Sequence, residues 1–233
     1  MQQMIEAVSY GARVSGKLTG RLSLGATLQH SIFMGSKLFA VPTALLLAYL
    51  IESNISITTY FLLSAILTFT AFLASISVFI RLDYFQILFQ KLYYFYDQHT
   101  VPVAIMKVFF SRERNIINVI HCQHSAKKKT FFLKKIFVSY IAYFFLSTGF
   151  LFAFSMAILI PEYRLTMSQF STAFQGVGVI VLAFYIDPML SRSIDNNKSS
   201  EVWIDNIYSI LLGKLIAYLF ATIIFIFSYF YFL

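Results

Sequence analysis

Residues 207–233 read IYSILLGKLIAYLFATIIFIFSYFYFL, an apolar run whose only charged residue is Lys214. A helix crosses a hydrocarbon layer about 30 Å thick with roughly 20 apolar residues, so this stretch can span a bilayer. Ile55–Ile80, Ile136–Ile160 and Phe170–Leu190 meet the same requirement. A fifth run, Leu22–Ile51, is long enough but carries Gln29, His30, Lys37 and Pro42. Those residues suit a helix that faces the protein interior or a wet cavity.

Composition agrees with the runs. Hydrophobic residues make up 59% of the 233 positions and charged residues 12%, about half the charged share of a soluble domain. Twenty-seven Phe and fifteen Tyr exceed what a core of this size can bury; they suit lipid-facing and interfacial positions. The sequence therefore predicts an all-α polytopic transmembrane helical bundle of five spans, a single domain over 1–233. Residues 1–21 are amphipathic and too polar to span. Residues 84–110 mix aromatic with charged residues, as interfacial or re-entrant helices do. A crossing by either segment would make six.

The net charge of +8 is concentrated between the apolar runs, where it acts as a topology signal and does not point to nucleic acid. The basic stretch 81–135 is placed in the cytoplasm. Stepping outward puts 161–169 outside, 191–206 inside and the C-terminus outside. In the other direction 52–54 fall outside, and Arg13, Lys17 and Arg21 inside. Apart from Lys37 and Lys214 within spans, Arg164 alone is on the unexpected side. A single cysteine, Cys122, permits no intrachain disulfide, and no cleavable signal peptide is visible at the N-terminus.

Ionisable residues at membrane depth cost several kcal/mol unless paired or hydrated. Lys37, mid-way along the first long helix, and Lys214, about two turns into the last, either line a cavity that meets an anionic headgroup or snorkel to the interface. Arg13, Lys17 and Arg21 recur every four residues and so share one helix face. That stripe could bind a phosphate or pyrophosphate, or it is a topology signal touching anionic phospholipids. Asp187-Pro188 closes the fourth span, where proline can stop or kink the helix and the carboxylate needs a cationic partner. Gln175-Gly176-x-Gly178 allows close helix contact or a backbone break. His121-Cys122-Gln123-His124 falls short of the four ligands that structural zinc uses. No nucleophile elbow, zinc-protease helix or phosphate loop is present, so the reading is not an enzyme, with no cofactor and no metal.

Two signatures flank the fourth span: Pro161-Glu162-x-Arg164-x-Thr166 before it and Asp187-Pro188-x-Leu190-Ser191-x-x-x-Asp195 at its end. Together they resemble the Amj-type alternate lipid II flippases of bacteria. Ile5-Glu6-Ala7-x-Ser9-Tyr10-Gly11-x-Arg13-x-x-Gly16, then Thr19-x-Arg21-Leu22, are similar to that family's N-terminal segment. Ser36-Lys37 resembles a Ser-Arg pair in the next helix, and Gly213-Lys214-Leu215 lies in a final helix of similar make-up. Gln175-Gly176 stands where the family has Asn-Gly. The family also implies a further apolar span ahead of the Ile5-Glu6 segment.

The resemblance implies movement of undecaprenyl-pyrophosphate-linked peptidoglycan precursor (lipid II) across the bacterial cytoplasmic membrane. Arg13, Lys17, Arg21, Lys37 and Lys214 would meet the pyrophosphate of this glycolipid. Glu162, Arg164, Gln175, Gly176, Asp187, Pro188 and Asp195 would hold or gate the fourth span. Transport of another polyprenyl-linked glycan or of the carrier lipid, or a non-transporting role in a cell-wall complex, remains open at this level.

Overall fold

Ser56 opens the first of the long apolar helices: its hydroxyl accepts the Thr59 amide at 3.2 Å, capping Ile57–Ile80. Such caps satisfy an otherwise orphaned donor at a helix start. In the computed structural model, residues 2–110, 130–195 and 200–233 are described, with the backbone alone at some positions such as Asp195. His121–His124 and Lys127–Lys129 lie outside the described residues.

The described helices are α1 (Gln2–Leu18), α2 (Leu22–Ser36), α3 (Ala40–Glu52), α4 (Ile57–Ile80), α5 (Leu82–Tyr96), α6 (Val101–Phe110), α7 (Leu133–Leu159), α8 (Arg164–Val181), α9 (Asp187–Asp195) and α10 (Ser200–Phe232). Five helical stretches are long and apolar enough to cross a membrane: Leu22–Glu52, Ile57–Ile80, Leu133–Leu159, Pro161–Ile194 and Glu201–Phe232. The expected five-span helical bundle is what the chain forms, and α5 and α6 supply the shorter aromatic helices expected between spans.

Three boundaries differ from expectation. The first long run is interrupted by a 3₁₀ turn, Lys37–Phe39, so Lys37 lies at a break between α2 and α3. Pro188 does not stop the fourth span. A π-helical segment, Leu182–Ile186, carries the backbone from α8 into α9, which runs on to Asp195. Proline is tolerated there because the wider π-helical turn just before it already interrupts the regular amide ladder. The last helix begins at Ser200, seven residues before its apolar run, so Lys214 sits four turns in rather than two.

Helix α7 lies between α8 and α10, and α10 in turn packs on α4. Close approach depends on glycine. A Cβ on Gly178 would sit 2.6 Å from the Ala142 carbonyl oxygen of α7, and one on Gly213 would collide with the Ile136 carbonyl. Interhelical hydrogen bonds reinforce these contacts: the Ser139 hydroxyl donates to the Ile210 carbonyl at 2.6 Å and the Tyr60 hydroxyl to that of Leu151 at 2.8 Å.

Among the described residues, the two larger buried clusters fill the bundle, beside a small one of Leu92, Phe95 and Ala104. One of the larger two joins Leu47, Phe61, Leu151, Phe154 and Phe225; the other joins Tyr10, Val14, Leu82, Tyr143, Trp203 and Leu211. Arg164 donates to Asn54 Oδ1 at 3.0 Å, which places the loops after α3 and after α7 at one end. At the other end the Tyr208 hydroxyl meets Asp83 Oδ1 at 3.1 Å.

Residues 1–21 hold the main surprise. Helix α1 is packed inside the bundle: Glu6, Ala7 and Ser9–Gly16 are all buried, against α2, α4, α5 and α10. Gly16 and Gly25 let α1 and α2 cross at backbone contact, since a Cβ on Gly16 would lie 2.7 Å from Gly25 Cα. A polar helix is stable inside a membrane protein when its polar groups find partners there. Tyr93 donates to the Ala12 carbonyl at 2.6 Å and Ser15 to that of Gln86 at 2.8 Å.

Candidate functional site

The site is built along α1, whose polar side chains fall at successive depths. Gln3 is the first: its carbonyl accepts Lys214 Nζ at 3.0 Å, and its side chain accepts the Tyr218 hydroxyl. Lys214 lies about 21 Å along α10 from its first residue and about 27 Å from its last, at 1.5 Å per residue. The start of α1 is therefore near the middle of the bundle.

Glu6, one turn further, is the centre of a cluster. Its Oε1 receives Lys37 Nζ at 2.9 Å, Gln2 at 3.1 Å and the Ser36 hydroxyl at 3.3 Å, while Oε2 lies 3.4 Å from Lys214 Nζ. Glu6 and Lys214 are each 1% exposed at the side chain and Lys37 32%. Lys214 also sits 4.8 Å from the centre of the Tyr143 ring, a cation–π contact. Tyr10 and Tyr143 share a hydroxyl hydrogen bond of 2.7 Å beneath it.

Arg13 follows, buried, with Nη1 donating to Asp187 Oδ1 at 2.9 Å and to Gln29 Oε1 at 3.0 Å. Its Nε has no hydrogen-bond partner among the described residues. Arg21 does not share a face with Arg13 and Lys17, contrary to the spacing argument. Helix α1 ends at Leu18, and Gly20, at φ +73°, turns the chain. Arg21 instead clamps Asp97 at the end of α5, with Nη1 to Oδ1 at 2.6 Å. That bond holds the Asp97 carboxyl below its ordinary range and raises Arg21. Lys17 is half-buried in the last turn of α1.

Two cavities follow the same axis. The first, about 590 Å³, is lined by Gln2 and Gln3 of α1, Thr43 and Leu47 of α3, Thr68 of α4, Ser147 of α7, Gln175 of α8 and Tyr218. The second, about 320 Å³, is lined by Tyr10 and Arg13 of α1, Gln29, His30 and Phe33 of α2, Tyr143 of α7, and Val179, Leu182 and Asp187. Each of α1, the α2–α3 rod, α7 and the α8–α9 rod contributes to both. The Glu6–Lys37–Lys214 cluster lies between the two, touching Gln2 and Gln3 of the first lining and Phe33 and Tyr143 of the second, and α2 and α8 form no extended interface with each other.

The gating residues divide. Gln175 lines the first cavity and Asp187 the second, but a side chain on Gly176 would meet nothing within 4 Å, so Gly178 is the packing glycine. Glu162 is exposed, in a 3₁₀ turn. Pro188 lines a third cavity, about 340 Å³, with Lys135, Tyr185 and Arg192. Asp195 ends α9, and its side chain lies outside the described part.

A sequence model of the Amj family, described as Alternate to MurJ, matches residues 1–231. The chain belongs to the Amj family. Its membership accounts for the paired signatures around the fourth span and for the Ile5–Gly16 segment, now seen to be the buried helix α1. No curated protein and no solved structure matches this Amj-family chain. With its five apolar helices, it is a membrane protein.

Glu6 was not among the residues singled out, although it organises the site. One signal pointed to it: Glu6 is the only acidic residue before Glu52, on a segment followed by Lys37. Gln29 stood out as a polar residue suited to the protein interior, where it is found; Asp97 and Tyr143 had no such signal, because each matters only through a neighbour on another helix.

Proposed function

We propose that this Amj-family protein is a flippase, a transporter and not an enzyme, that moves lipid II across the bacterial cytoplasmic membrane. The observation that carries the reading is the pair of cavities along α1, with a cluster of two ammonium groups and one carboxylate between them. A prenyl diphosphate passing between leaflets needs cations at mid-depth and an opening toward lipid for its tail. The absence of an extended α2–α8 interface supports a lateral opening of that kind.

In this reading Arg13 meets the diphosphate first. Its unused Nε and the exchangeable Asp187 contact leave it able to make charge-assisted hydrogen bonds. Lys37 and Lys214 then take the diphosphate at the level of Glu6. Arg21 and Lys17 are weaker choices, since Arg21 is committed to Asp97. The sugar–peptide headgroup is larger than either cavity, so α8 must move relative to α2–α3 during passage. The π-helical segment Leu182–Ile186, a frequent mark of functional sites, supplies the hinge.

The positive-inside distribution orients the protein with 81–135 in the cytoplasm and the C-terminus outside. The third cavity, with Lys135 and Arg192 beside Tyr185, would take the headgroup of an anionic phospholipid at the cytoplasmic surface.

The test is transport of fluorescent lipid II in proteoliposomes holding the purified chain. Transport by the wild type, reduced at least tenfold in Lys37→Ala, is the expected result. Folded wild-type protein that moves no lipid II overturns the proposal. Equal movement of other prenyl-linked glycans would broaden the substrate.

A further inference from the structure

Charge in the central cluster does not balance. With both lysines protonated, Lys37 and Lys214 bring two positive charges to the single carboxylate of Glu6, and all three meet inside the bundle. The remaining groups that face Glu6 are uncharged: Gln2 and Tyr10 from α1, Ser36 beside Lys37, Tyr143 from α7 and Tyr218 from α10. Asp187, on the far side of Tyr10, is engaged by Arg13.

A diphosphate diester carries one negative charge on each phosphate. If it entered while Glu6 stayed ionised, three negative charges would share two ammonium groups in a medium of low dielectric. Uncompensated charge is strongly disfavoured there, and a like-charged neighbour opposes ionisation of a carboxyl group. Protonating Glu6 leaves two positive charges facing two negative ones. A protonated carboxyl also gains a donor, the O–H, that can be given to a phosphate oxygen.

We infer, resting on the lipid-diphosphate reading above, that Glu6 takes up one proton each time a diphosphate displaces its carboxylate from Lys37 and Lys214. The proton is drawn from the buffered solution by way of water in the nearby cavities, and forms an O–H bond on one Glu6 oxygen. No bond to the lipid is made or broken. When the headgroup leaves, the proton leaves and the carboxylate returns to the two lysines. Glu6 is thus a resident counter-ion that keeps the cations satisfied between turnovers and gives way by becoming neutral. One consequence is that diphosphate binding strengthens as pH falls.

The experiment is calorimetric titration of the full chain in nanodiscs near neutral pH, in two buffers of different ionisation enthalpy. The probe is a short-chain prenyl diphospho-sugar, a diester with no proton of its own to exchange in that range. The wild type is expected to take up about one proton per ligand, with affinity rising up to about tenfold per unit fall in pH by linkage. Glu6→Gln should bind without proton uptake and with little pH dependence, and Lys214→Arg should keep the uptake. Binding by the wild type with no proton exchanged overturns the inference and leaves the flippase reading standing. No binding by folded wild type overturns both. Uptake that survives Glu6→Gln but disappears in Lys214→Arg assigns the proton to the lysine and also overturns it. If Glu6→Gln does not fold, the wild type and Lys214→Arg still decide: uptake in both supports Glu6, and loss in either overturns it.

Discussion

Arg13 Nη1 lies 2.9 Å from Asp187 Oδ1, which joins α1 to the first residue of α9 across 174 positions of sequence. The pair is asymmetric. The arginine side chain is 8% exposed and the aspartate 53%, so one member is fixed in the bundle while the other faces the second cavity. An arriving anion could replace the carboxylate without moving the arginine.

That asymmetry predicts a modest coupling between the two residues. Removing Asp187 alone should cost more than the pair is worth, because Arg13 would be left buried without its carboxylate. With Asp187 half in solvent, the double-mutant cycle should return about 1 kcal/mol. Thermal unfolding of Arg13→Ala, Asp187→Ala and the double variant measures it. A coupling indistinguishable from zero would mean that the contact does no more than occupy space.

Two glycines on one helix should behave oppositely. A Cβ on Gly178 meets the Ala142 carbonyl oxygen and Leu146 Cγ, each at 2.6 Å, whereas one on Gly176 meets nothing. Gly178→Ala should therefore cost about 1–3 kcal/mol by overpacking the α7–α8 contact. Gly176→Ala should be neutral or gain up to about 1 kcal/mol from helix propensity. Unfolding temperatures of the two variants give the comparison, and equal destabilisation would place the α7–α8 contact elsewhere.

The Arg164–Asn54 hydrogen bond gathers two loops at one end of the bundle, and the orientation proposed above puts that end outside. In a Cys122→Ser background, Asn54→Cys and Arg164→Cys should react with a membrane-impermeant thiol reagent on intact cells. Asp205→Cys should react only after permeabilisation. The reverse pattern would invert the protein in the membrane.

Acid should loosen the joint between α1 and α5. Arg21 holds the Asp97 carboxyl below its unperturbed value of 3.8, so ionised Asp97 favours the folded arrangement. For a depressed carboxyl the contribution is complete above the unfolded value and disappears as pH falls through the folded one. Protection of the α5 amides, taken relative to the intrinsic exchange rate at each pH, should therefore be constant between pH 7 and 5 (about the range above that value) and fall in stronger acid. Asp97→Asn should abolish the acid-dependent part. An unchanged pH response in that variant would assign the sensitivity to another group.

Much of the architecture was legible because the bilayer imposes a local rule. Ile57–Ile80 and Leu133–Leu159 follow directly from runs of apolar residues, whose required length depends only on hydrocarbon thickness. The rule does not say where a segment too polar to span will lie. Helix α1 is too polar to face lipid, yet it never does so, since neighbouring helices and Tyr93, Gln86 and Lys214 supply its partners. The site was legible in part: Arg13, Lys37 and Lys214 stood out as costly cations. Of their carboxylates, Asp187 stood out as one that needs a cation, and Glu6 did not.

The sequence by itself determined the number of spans, their places along the chain and the family, because each depends on residues that are neighbours in order. Only the tertiary structure decided that Lys37 and Lys214 share Glu6, that Arg13 meets Asp187 and that Arg21 leaves their line for Asp97. Those pairings depend on helix depth and rotation, which are set by contacts such as Gly16 on Gly25 and Gly178 on Ala142. Such contacts join residues far apart in sequence, and hydropathy along a single helix carries no record of them.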